Sequence, residues 1–449
     1  MLSFKMIELR SYQQAAADRI ENLMRKYRCA YLSGEVRTGK TLTAFEVIRR
    51  LDCQTVLFVT KKKAIASIEK DRDAMGLTDV VTVINFEQIH KWETIHWDAL
   101  ILDEAHGVGA FPKPSKRFKD LCRIKYEQIL LLSGTPSPES FSQLYHQWRL
   151  TPFLWGKYPN FYRWADDYVH LKTKRVGTGI EVNDYSDANK EKIMQDIEPY
   201  TVKMTQKEAG FKTEIEENIH LVKMKPRTYR LALRIIKDGV IGNPRCRSVV
   251  ADTGAKTMGK LRQIYNGHVI TENHGPMHWD MSKIEYIKKT FTGKLAIMYC
   301  FQEEGRMLRA AFGSRATDSP EVFNSDPESV FIGQIQASRE GISLREATDL
   351  VFMGIDYSAL SYLQSRDRCS FLGRARANRV HYIFAERSIE LRVFQIVRKK
   401  RTYTTSHYKQ DREKLSIAAH QGIRETGMAC SKAFNAEQSW LPGFASIAS

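Results

Sequence analysis

The octapeptide GEVRTGKT, residues Gly34 to Thr41, decides how the first part of the chain folds. It follows the short apolar run CAYLS at 29–33 and precedes a helical pattern, which is the context that a phosphate-binding P-loop requires. Its glycines let backbone N–H groups curl around phosphates, Lys40 reaches the phosphate oxygens, and the Thr41 hydroxyl is suited to bind Mg²⁺. The residues predicted to hold a nucleotide in this loop are Gly34, Thr38, Gly39, Lys40 and Thr41.

A pair of acids forms the second signal. The apolar run ALIL at 99–102 leads directly into Asp103, Glu104, Ala105 and His106. An acid at the end of such a strand stands where the metal of a P-loop site takes its second protein contact, so Asp103 is predicted to hold Mg²⁺ directly or through water. Glu104 is predicted to orient and deprotonate the attacking water. Together the two motifs predict a site that hydrolyses a phosphoanhydride.

The strand pattern predicts an α/β fold with two doubly wound parallel sheets. Apolar β-branched runs at 55–60, 80–86, 99–106 and 128–135 alternate with helical patterns such as 41–50 and 64–75. A second series of such runs stands at 219–224, 294–300, 329–335, 349–355 and 379–385. We therefore predict a first lobe over 1–150 and a second lobe over 216–415.

Residues 151–215 break this alternation. Aromatic residues crowd the stretch 141–168, which we predict to be part of a mostly helical insertion whose aromatics form a small core of their own. A wedge that separates nucleic-acid strands is the alternative reading of the same aromatics. The tail, 416–449, carries no strong pattern and is left unassigned.

The charge of the chain indicates its partner. The 449 residues hold 69 Lys plus Arg against 52 Asp plus Glu, a formal net charge of +17, which favours a polyanion. A basic protein that is merely soluble is the alternative. No apolar run is long enough to span a bilayer, no secretory h-region opens the chain, and the seven cysteines form no Cys-x-x-Cys pair. These features predict reduced thiols and a cytoplasmic location.

These motifs resemble those of the superfamily 2 helicases and translocases. The resemblance rests on DEAH after the P-loop, on Ser133-Gly134-Thr135-Pro136, and on the opening LRSYQQ, where Gln13 matches that family's adenine-reading residue. It implies ATP as the nucleotide and two RecA-like lobes. It also implies that His106, Ser133 and Thr135 couple hydrolysis to movement of nucleic acid.

The resemblance extends through the second lobe. KLAIMYCFQ at 294–302 resembles motif IV, IQASREGISL at 335–344 resembles motif V with Gly341 in its turn, and 356–376 resembles motif VI with Gln364. The layout is nearest the Snf2-like branch, and within it most resembles compact phage-encoded helicases that act on branched DNA. Such a protein would work in the cytoplasm of a bacterial host.

Motifs V and VI depart from that branch in ways that affect the predicted site. The second arginine position of motif VI holds Phe371, so the arginine finger is predicted to be Arg368, then Arg374, then Arg366. Such a finger stabilises charge in the transition state. In motif V, Arg339 follows Ser338 where the branch prefers glycines, and it is read either as a phosphate contact or as a solvated side chain.

Several segments are predicted to contact nucleic acid through its phosphates. Lys61, Lys62 and Lys63 follow a strand end, at the sheet edge where ligands bind, although a solvated charge run is the alternative. The turn Asn85-Phe86 and the motif IV and V loops match further family contacts. The loop 110–120 adds basic residues, among them Lys113, Lys116 and Arg117, and an amphipathic helix with Leu391, Phe394 and Val397 on its apolar face is predicted over 390–401.

The sequence therefore predicts a monomeric DNA motor that uses ATP and Mg²⁺ to unwind forked or branched DNA, bound without sequence specificity, in phage replication or recombination. A translocase that moves on double-stranded DNA without separating its strands remains an alternative. So do an RNA helicase and a nucleic-acid-binding scaffold with an inactive nucleotide site.

Overall fold

The structure is a computed structural model that describes residues 8–138, 140–176, 180–210, 215–242, 248–272, 275–338, 344–358, 378–398 and 405–425. The chain divides into two compact units, one before residue 213 and one after it. No helix in these described ranges is long and apolar enough to cross a membrane.

The first unit contains a parallel sheet with helices on both of its faces. Its helices are α1 (Ser11–Tyr27), α2 (Lys40–Arg50), α3 (Ile65–Ala74), α4 (Lys116–Leu121), α5 (Leu144–Trp148), α6 (Phe161–Tyr168) and α7 (Lys190–Ile197). Its strands are β1 (Cys29–Gly34), β2 (Val56–Thr60), β3 (Val81–Asn85), β4 (His96–Leu102), β5 (Lys125–Ser133), β6 (Lys172–Val176), β7 (Ile180–Asp184) and β8 (Thr201–Met204).

The described residues of this unit form a six-stranded sheet in the order β3-β2-β4-β5-β1-β8, and every neighbouring pair is parallel. The antiparallel pair β6 and β7 forms a separate hairpin. The edge strand β8 lies beyond residue 150, the predicted end of the first lobe, and it pairs with β1 from Tyr31↔Thr201 to Gly34↔Met204.

Alternate residues of the first sheet pack in two different layers. Phe58, Ile101 and Leu130 point into a cluster with residues of α1, α2 and α3, whereas Leu100 and Ile129 point into a second cluster. Strands of a parallel sheet that is buried on both faces are apolar at successive positions, as the fully buried VLFVT of β2 shows.

The aromatic segment after residue 141 forms the second of these layers. Trp148, Trp155, Trp164 and Tyr168 belong to the same buried cluster as Leu100 and other residues of the sheet. The prediction that these aromatics form their own small core is therefore wrong. The reason is that β8 returns to pair with β1, so the intervening chain lies across a face of the sheet. Packing, rather than strand separation, accounts for the buried aromatics.

The second unit repeats the same architecture. Its helices are α8 (Pro226–Asp238), α9 (Gly254–Tyr265), α10 (Ser282–Thr290), α11 (Gln302–Phe312), α12 (Pro320–Ser325), α13 (Ile335–Ser338), α14 (Glu390–Arg398) and α15 (Thr405–Glu425). Its strands are β9 (Ile215–Val222), β10 (Val240–Gly242), β11 (Ser248–Val250), β12 (His268–Ile270), β13 (Pro276–His278), β14 (Leu295–Tyr299), β15 (Ala316–Thr317), β16 (Val330–Gln334), β17 (Asp349–Phe352) and β18 (Asn378–Ala385).

The six-stranded sheet among the described residues of this unit has the order β15-β16-β14-β17-β18-β9 and is parallel throughout. The predicted fold class, two α/β lobes with parallel sheets, is confirmed. In the predicted helix at 390–401, α14 buries Phe394 and Val397 as expected, and Leu391 packs against the same core. Part of the unassigned tail is helical, since α15 continues to Glu425. This helix packs against α8.

A buried histidine sits among the aromatics of the first unit. His146, on α5, is 3% exposed, its ring stacks on Phe161 at 6.0 Å, and its Nδ1 lies 2.7 Å from the backbone oxygen of Ala110. Burial disfavours the imidazolium and lowers the pKa of His146 to about 4. The folded protein therefore holds this ring neutral at pH values where an exposed histidine would be charged.

This histidine should make the first unit less stable in mild acid. Its contribution is complete above pH 6.5 and is lost as the pH falls from 6.5 towards 4, because the unfolded chain takes up the proton first. Between pH 7 and pH 5 we expect a loss of about 2 kcal/mol in the free energy of unfolding. Denaturant titrations of the wild type and of His146→Asn, whose amide cannot titrate, should differ by that amount. Equal pH dependence in the two proteins would contradict the assignment.

Candidate nucleotide site and nucleic-acid surface

The P-loop lies between the end of β1 at Gly34 and the start of α2 at Lys40. Gly39 caps α2 with φ 81°, in the left-handed region, and a Cβ atom built there would lie 2.2 Å from Gln13 Nε2. Both the backbone angle and the close approach therefore require glycine at this position. Thr41 lies in the first turn of α2, and Thr38 Oγ1 donates to the Glu35 oxygen at 2.9 Å.

The Lys40 ammonium folds back onto its own loop. It donates to the backbone oxygens of Gly34 at 2.9 Å and Glu35 at 3.2 Å. The Ser-Gly-Thr-Pro loop reaches the same ammonium, because a Cβ atom at Gly134 would lie 3.7 Å from Lys40 Nζ. The cation is thus held in the mouth of the loop by neutral carbonyl oxygens, which anionic phosphate oxygens could replace as acceptors.

Gln13, the predicted adenine-reading residue, packs directly on the P-loop. Its Nε2 donates to the Gly39 oxygen at 3.4 Å, and its Oε1 accepts from the backbone N–H of Arg10 at 3.0 Å. The adjacent Tyr12 hydroxyl donates to the Thr38 oxygen at 3.0 Å. The structure places Gln13 beside the nucleotide loop, and its contact with adenine stays a prediction.

Asp103 and Glu104 follow the last residue of β4. Asp103 Oδ2 accepts from the Thr60 hydroxyl, at the end of β2, over 2.8 Å. Burial, followed by the charge of neighbouring Glu104, raises the pKa of Asp103 to about 6. A cation beside this carboxylate would favour its charged form, which is the behaviour expected of a metal contact.

Glu104 has the opposite electrostatic environment. Its backbone is left-handed at φ 51°, which turns the chain into a 3₁₀ helix over Ala105–Val108. Burial acts to raise its pKa, but His106, whose Nδ1 lies 3.1 Å from Glu104 Oε2, and the charges of Lys61 and Lys40 outweigh burial and lower the pKa to about 2. Glu104 is therefore a carboxylate at neutral pH and is able to accept a hydrogen bond from water.

The three predicted coupling residues of this unit lie together. His106 Nδ1 is 3.1 Å from Ser133 Oγ, which also accepts from the backbone N–H of Thr135 at 3.1 Å. The Thr135 hydroxyl is buried and has no hydrogen-bond partner among the residues that the structure describes. The same ring nitrogen, His106 Nδ1, thus lies 3.1 Å from both the acid Glu104 and Ser133 of the Ser-Gly-Thr-Pro loop.

Gln147 supports that loop, a role that no sequence motif indicated. Its Nε2 donates to the Pro136 oxygen at 2.8 Å, and its Oε1 accepts from the buried Tyr31 hydroxyl at 2.7 Å. Gln147 lies on α5, where a helical pattern alone cannot tell a surface glutamine from a buried one. A glutamine within an aromatic run is the only available signal.

The residues of this site fit a nucleotide with its metal. Thr41 and Asp103 supply one hydroxyl and one carboxylate, which suits Mg²⁺, an ion that keeps several waters and binds few protein groups. No group of three or more His, Cys, Asp or Glu in the described ranges could form a denser metal site. The Lys40 ammonium, in the mouth of the P-loop, supplies a donor for phosphate oxygens.

Among the predicted nucleic-acid contacts, the three lysines lie on the turn after β2. Lys62 and Lys63 are exposed and begin a short 3₁₀ helix over Lys62–Ala64, whereas Lys61 is partly buried and its charge acts on Glu104. We call residues Lys61 to Lys63 the lysine turn. It joins the nucleotide site to the surface, since Lys61 directly follows Thr60.

The Asn85-Phe86 turn and the 110–120 loop pack against each other. The Asn85 side chain caps a 3₁₀ helix by accepting from Glu87 N at 3.0 Å, and Phe86 is buried. The Arg117 guanidinium lies 4.6 Å from the centre of the Phe86 ring and pairs with Glu87 at 3.0 Å. These side chains have structural roles here.

Lys113 and Lys116 stand on the same loop and are exposed. The assignment of the lysine turn, the Asn85-Phe86 turn and the 110–120 loop to nucleic acid stays a prediction. The predicted residues of motifs V and VI lie outside the described residues: Arg339, Gly341, Gln364, Arg366, Arg368, Phe371 and Arg374.

The first unit places the P-loop, the Asp103-Glu104 pair and the Ser-Gly-Thr-Pro loop at one edge of a parallel sheet. Residues 55–266 match the sequence profile of the SNF2-related domain, and residues 6–72 match that of the res subunit of type III restriction enzymes. These two segments are similar to the two families, and the longer match covers less than half of the chain.

Three curated proteins are similar to part of this chain. A probable ATP-dependent helicase of Plasmodium falciparum is 24% identical over 53% of this chain and 10% of its own length. The RNA polymerase-associated protein RapA of Erwinia tasmaniensis is 23% identical over 44% and 22%, and the helicase SWR1 of Mycosarcoma maydis is 25% identical over 42% and 10%. The chain therefore spans between 10% and 22% of the length of these relatives.

A solved structure, the SWI2/SNF2 ATPase core of Sulfolobus solfataricus in complex with double-stranded DNA, is also similar. The alignment has 15% identity and a TM-score of 0.42, and it covers 94% of this chain and 97% of that one.

The hydrogen bond between Thr60 and Asp103 makes Thr60 a positioning residue. Thr60 is fully buried, and its hydroxyl fixes the carboxylate predicted to contact the metal. Thr60→Val removes the hydroxyl with little change of shape, so we expect kcat for ATP hydrolysis to fall about tenfold or more, as supporting contacts of metal ligands typically do.

Thr60→Ser keeps the hydroxyl and should restore most of the rate, while both variants unfold near the wild-type temperature. Steady-state phosphate release measures the rates, and calorimetry measures the unfolding temperatures. Valine and serine variants with equal, wild-type rates would show that the bond does not position Asp103.

Proposed function

We propose that this protein is an ATP-dependent DNA motor that moves along DNA and separates the strands of forked or branched substrates, in phage replication or recombination. The observation that carries the proposal is the continuous contact from Thr60 to Asp103 and from Glu104 through His106 to Ser133. It links the predicted hydrolysis site to a lysine turn suited to phosphate. The phage setting and the branched substrate rest on the resemblance of the motifs alone.

The residues of the site divide the work of hydrolysis. MgATP, when bound, supplies a phosphoanhydride whose terminal phosphoryl group is transferred to water. Lys40 would neutralise charge on the phosphates, and Thr41 with Asp103 would hold the metal. Glu104, a carboxylate held by His106, would orient the water and take its proton. A change of position at Glu104 during hydrolysis would move His106, which contacts Ser133, and through Ser133 would reach Thr135.

Two alternatives belong to the same class of enzyme. A translocase on double-stranded DNA has support in the match of residues 55–266 to the SNF2-related domain. An RNA helicase would use the same nucleotide site, since phosphate contacts do not by themselves distinguish the two nucleic acids. A binding scaffold with an inactive site has least support, because Lys40, Thr41, Asp103 and Glu104 are all present.

Hydrolysis and strand separation should both depend on Glu104. In Glu104→Gln the carboxamide can hold water but cannot accept its proton, so DNA-stimulated ATP turnover should fall by at least ~10²-fold while ATP binding persists. Glu127→Gln, a change of the same kind at a half-exposed surface pair with Arg28, should retain wild-type turnover. Phosphate release and binding of a fluorescent ATP analogue measure the two quantities.

Strand-opening assays with the wild type, Glu104→Gln and Glu127→Gln distinguish the proposed motor from the alternatives. The substrates are forks, four-way junctions, plain tailed duplexes and tailed RNA duplexes at matched salt. We expect ATP-dependent opening of forks and junctions by the wild type and by Glu127→Gln only. Opening confined to plain tailed duplexes would contradict the branch preference. Hydrolysis stimulated by duplex DNA without opening of any substrate would favour the translocase, and preferential opening of RNA would favour the RNA helicase.

The exposed lysines of the lysine turn should hold phosphates. Replacing Lys62 and Lys63 by Ala should weaken DNA binding and lower the log–log salt slope by about 2 if both residues contact phosphates. The loss should be equal for unrelated DNA sequences. Lys125→Ala with Lys207→Ala, two exposed lysines elsewhere in the unit, removes the same charge and serves as the control. If both double variants have the same slope, the lysine turn is a solvated surface.

A further inference from the structure

Helix α8 carries a basic surface that plays no part in the site described above. The segment from Lys223 to Lys237, KMKPRTYRLALRIIK, holds six cations and no acid. Helices on protein surfaces usually mix charges of both signs. Such a segment produces a strong local positive potential.

The cations of α8 lie on one side of the helix. Tyr229, Ala232 and Ile236 are buried in the core of the second unit. Arg227, Arg230 and Arg234, at positions i, i+3 and i+7, lie on the other side and are partly exposed. We call these three residues the arginine row. At 1.5 Å per residue the row extends over about 10 Å of the helix.

The start of α8 is hydrogen-bonded to a buried aspartate. Asp280, which is 2% exposed, accepts at Oδ2 from the Thr228 hydroxyl at 2.5 Å and from the backbone N–H of Lys225 at 2.8 Å. Trp279 Nε1 donates to the same Thr228 hydroxyl at 3.0 Å, and the Trp279 ring lies 5.8 Å from the guanidinium carbon of Arg227. The first arginine of the row is thereby placed against a fixed ring.

The end of α8 is fastened as well. The chain leaves the helix through Gly239 in the left-handed conformation, at φ 69°. Arg412 of α15 donates to the Ile236 oxygen at 2.8 and 3.2 Å, which satisfies a carbonyl of the last turn. Held at both ends, the helix presents its arginines from a rigid support, so little ordering entropy opposes the binding of a ligand.

The chemistry of the row suits phosphate. Arginine presents a planar set of donors that matches phosphate oxygens and keeps its charge at all physiological pH values. Arg234 Nε is buried and has no hydrogen-bond partner among the described residues, while the residue as a whole is partly exposed, so the stem of this side chain is packed against the protein.

We propose that the arginine row binds the phosphate backbone of DNA as a contact of the second unit, additional to the lysine turn. The inference rests on the proposed function. One strand of a duplex presents a phosphate every 3.4 Å along the axis, so a row of about 10 Å matches about three phosphates. A membrane surface fits less well, because the apolar face that would enter lipid is buried in the protein.

The test compares two variants that lose equal charge. Arg227→Gln, Arg230→Gln and Arg234→Gln together remove the row. Lys288→Gln, Lys289→Gln and Arg306→Gln remove three cations from α10 and α11 in the same unit. Each lowers the net charge from +17 to +14, so long-range steering by net charge is matched.

Fluorescence anisotropy with labelled duplex DNA at several KCl concentrations gives the affinity and its salt slope. The row variant should bind at least tenfold more weakly than the control variant, with a slope lower by about 2 to 3. Replacing the three arginines by lysine should retain most of the slope, since the charges remain. If the triple variant fails to fold, Arg234→Gln alone is measured instead. We expect it to lower the log–log salt slope by about 0.9 units, the value for one phosphate contact.

Row and control variants with equal slopes and affinities would overturn the inference while leaving the proposed function intact. Loss of binding to polyglutamate with unchanged binding to DNA would also overturn it, in favour of an acidic protein partner. A wild-type protein that shows no salt-dependent DNA binding would remove the proposed function and the inference together.

Discussion

The parallel pairing of β1, β4 and β5 is the constraint on which the site depends. The register pairs Ser33 with Ser133 and Leu102 with Leu131, so the three strands end at one edge of the sheet. Gly34, Asp103 and the Ser-Gly-Thr-Pro loop stand at or just after those ends. Parallel strands must be joined by crossovers, which is why residues far apart in sequence meet here. Every further contact, including that of His106 with Ser133, follows from this register.

The positions of the strand ends were predictable from the sequence, whereas the hydrogen bonds that hold the site residues in place were not. Apolar β-branched runs next to polar motifs are a local signal, and β1 to β5 lie where that signal placed them. The partner of the Asp103 carboxylate, Thr60, belongs to a different strand, and no local pattern specifies which strands are neighbours. Gln147 and Tyr31, 116 residues apart, meet across the core, and no local pattern specifies that contact either.

The aromatic segment shows a second limit of the same kind. A run of tryptophan and tyrosine residues predicts burial but does not specify the surface against which these residues pack. The strand that decides the matter, β8, has only four residues, too few to distinguish from a loop by pattern. Its pairing with β1 lays the aromatics across the sheet, on the face opposite α1 and α2. A layer that resembled an insertion in the sequence therefore belongs to the core that holds the P-loop strand.

The two acids of the site show why their surroundings matter as much as their identity. Two adjacent, partly buried carboxylates cannot both be ionised without a free-energy cost, because each negative charge makes ionisation of the other less favourable. His106 and the charges of Lys61 and Lys40 hold Glu104 ionised, while burial and Glu104 itself raise the pKa of Asp103 to about 6. The two environments separate the pKa values of the acids, as the roles of proton acceptor for Glu104 and cation contact for Asp103 require. A divalent cation at Asp103 would remove the remaining electrostatic cost, which is why the site favours a nucleotide that arrives with its metal.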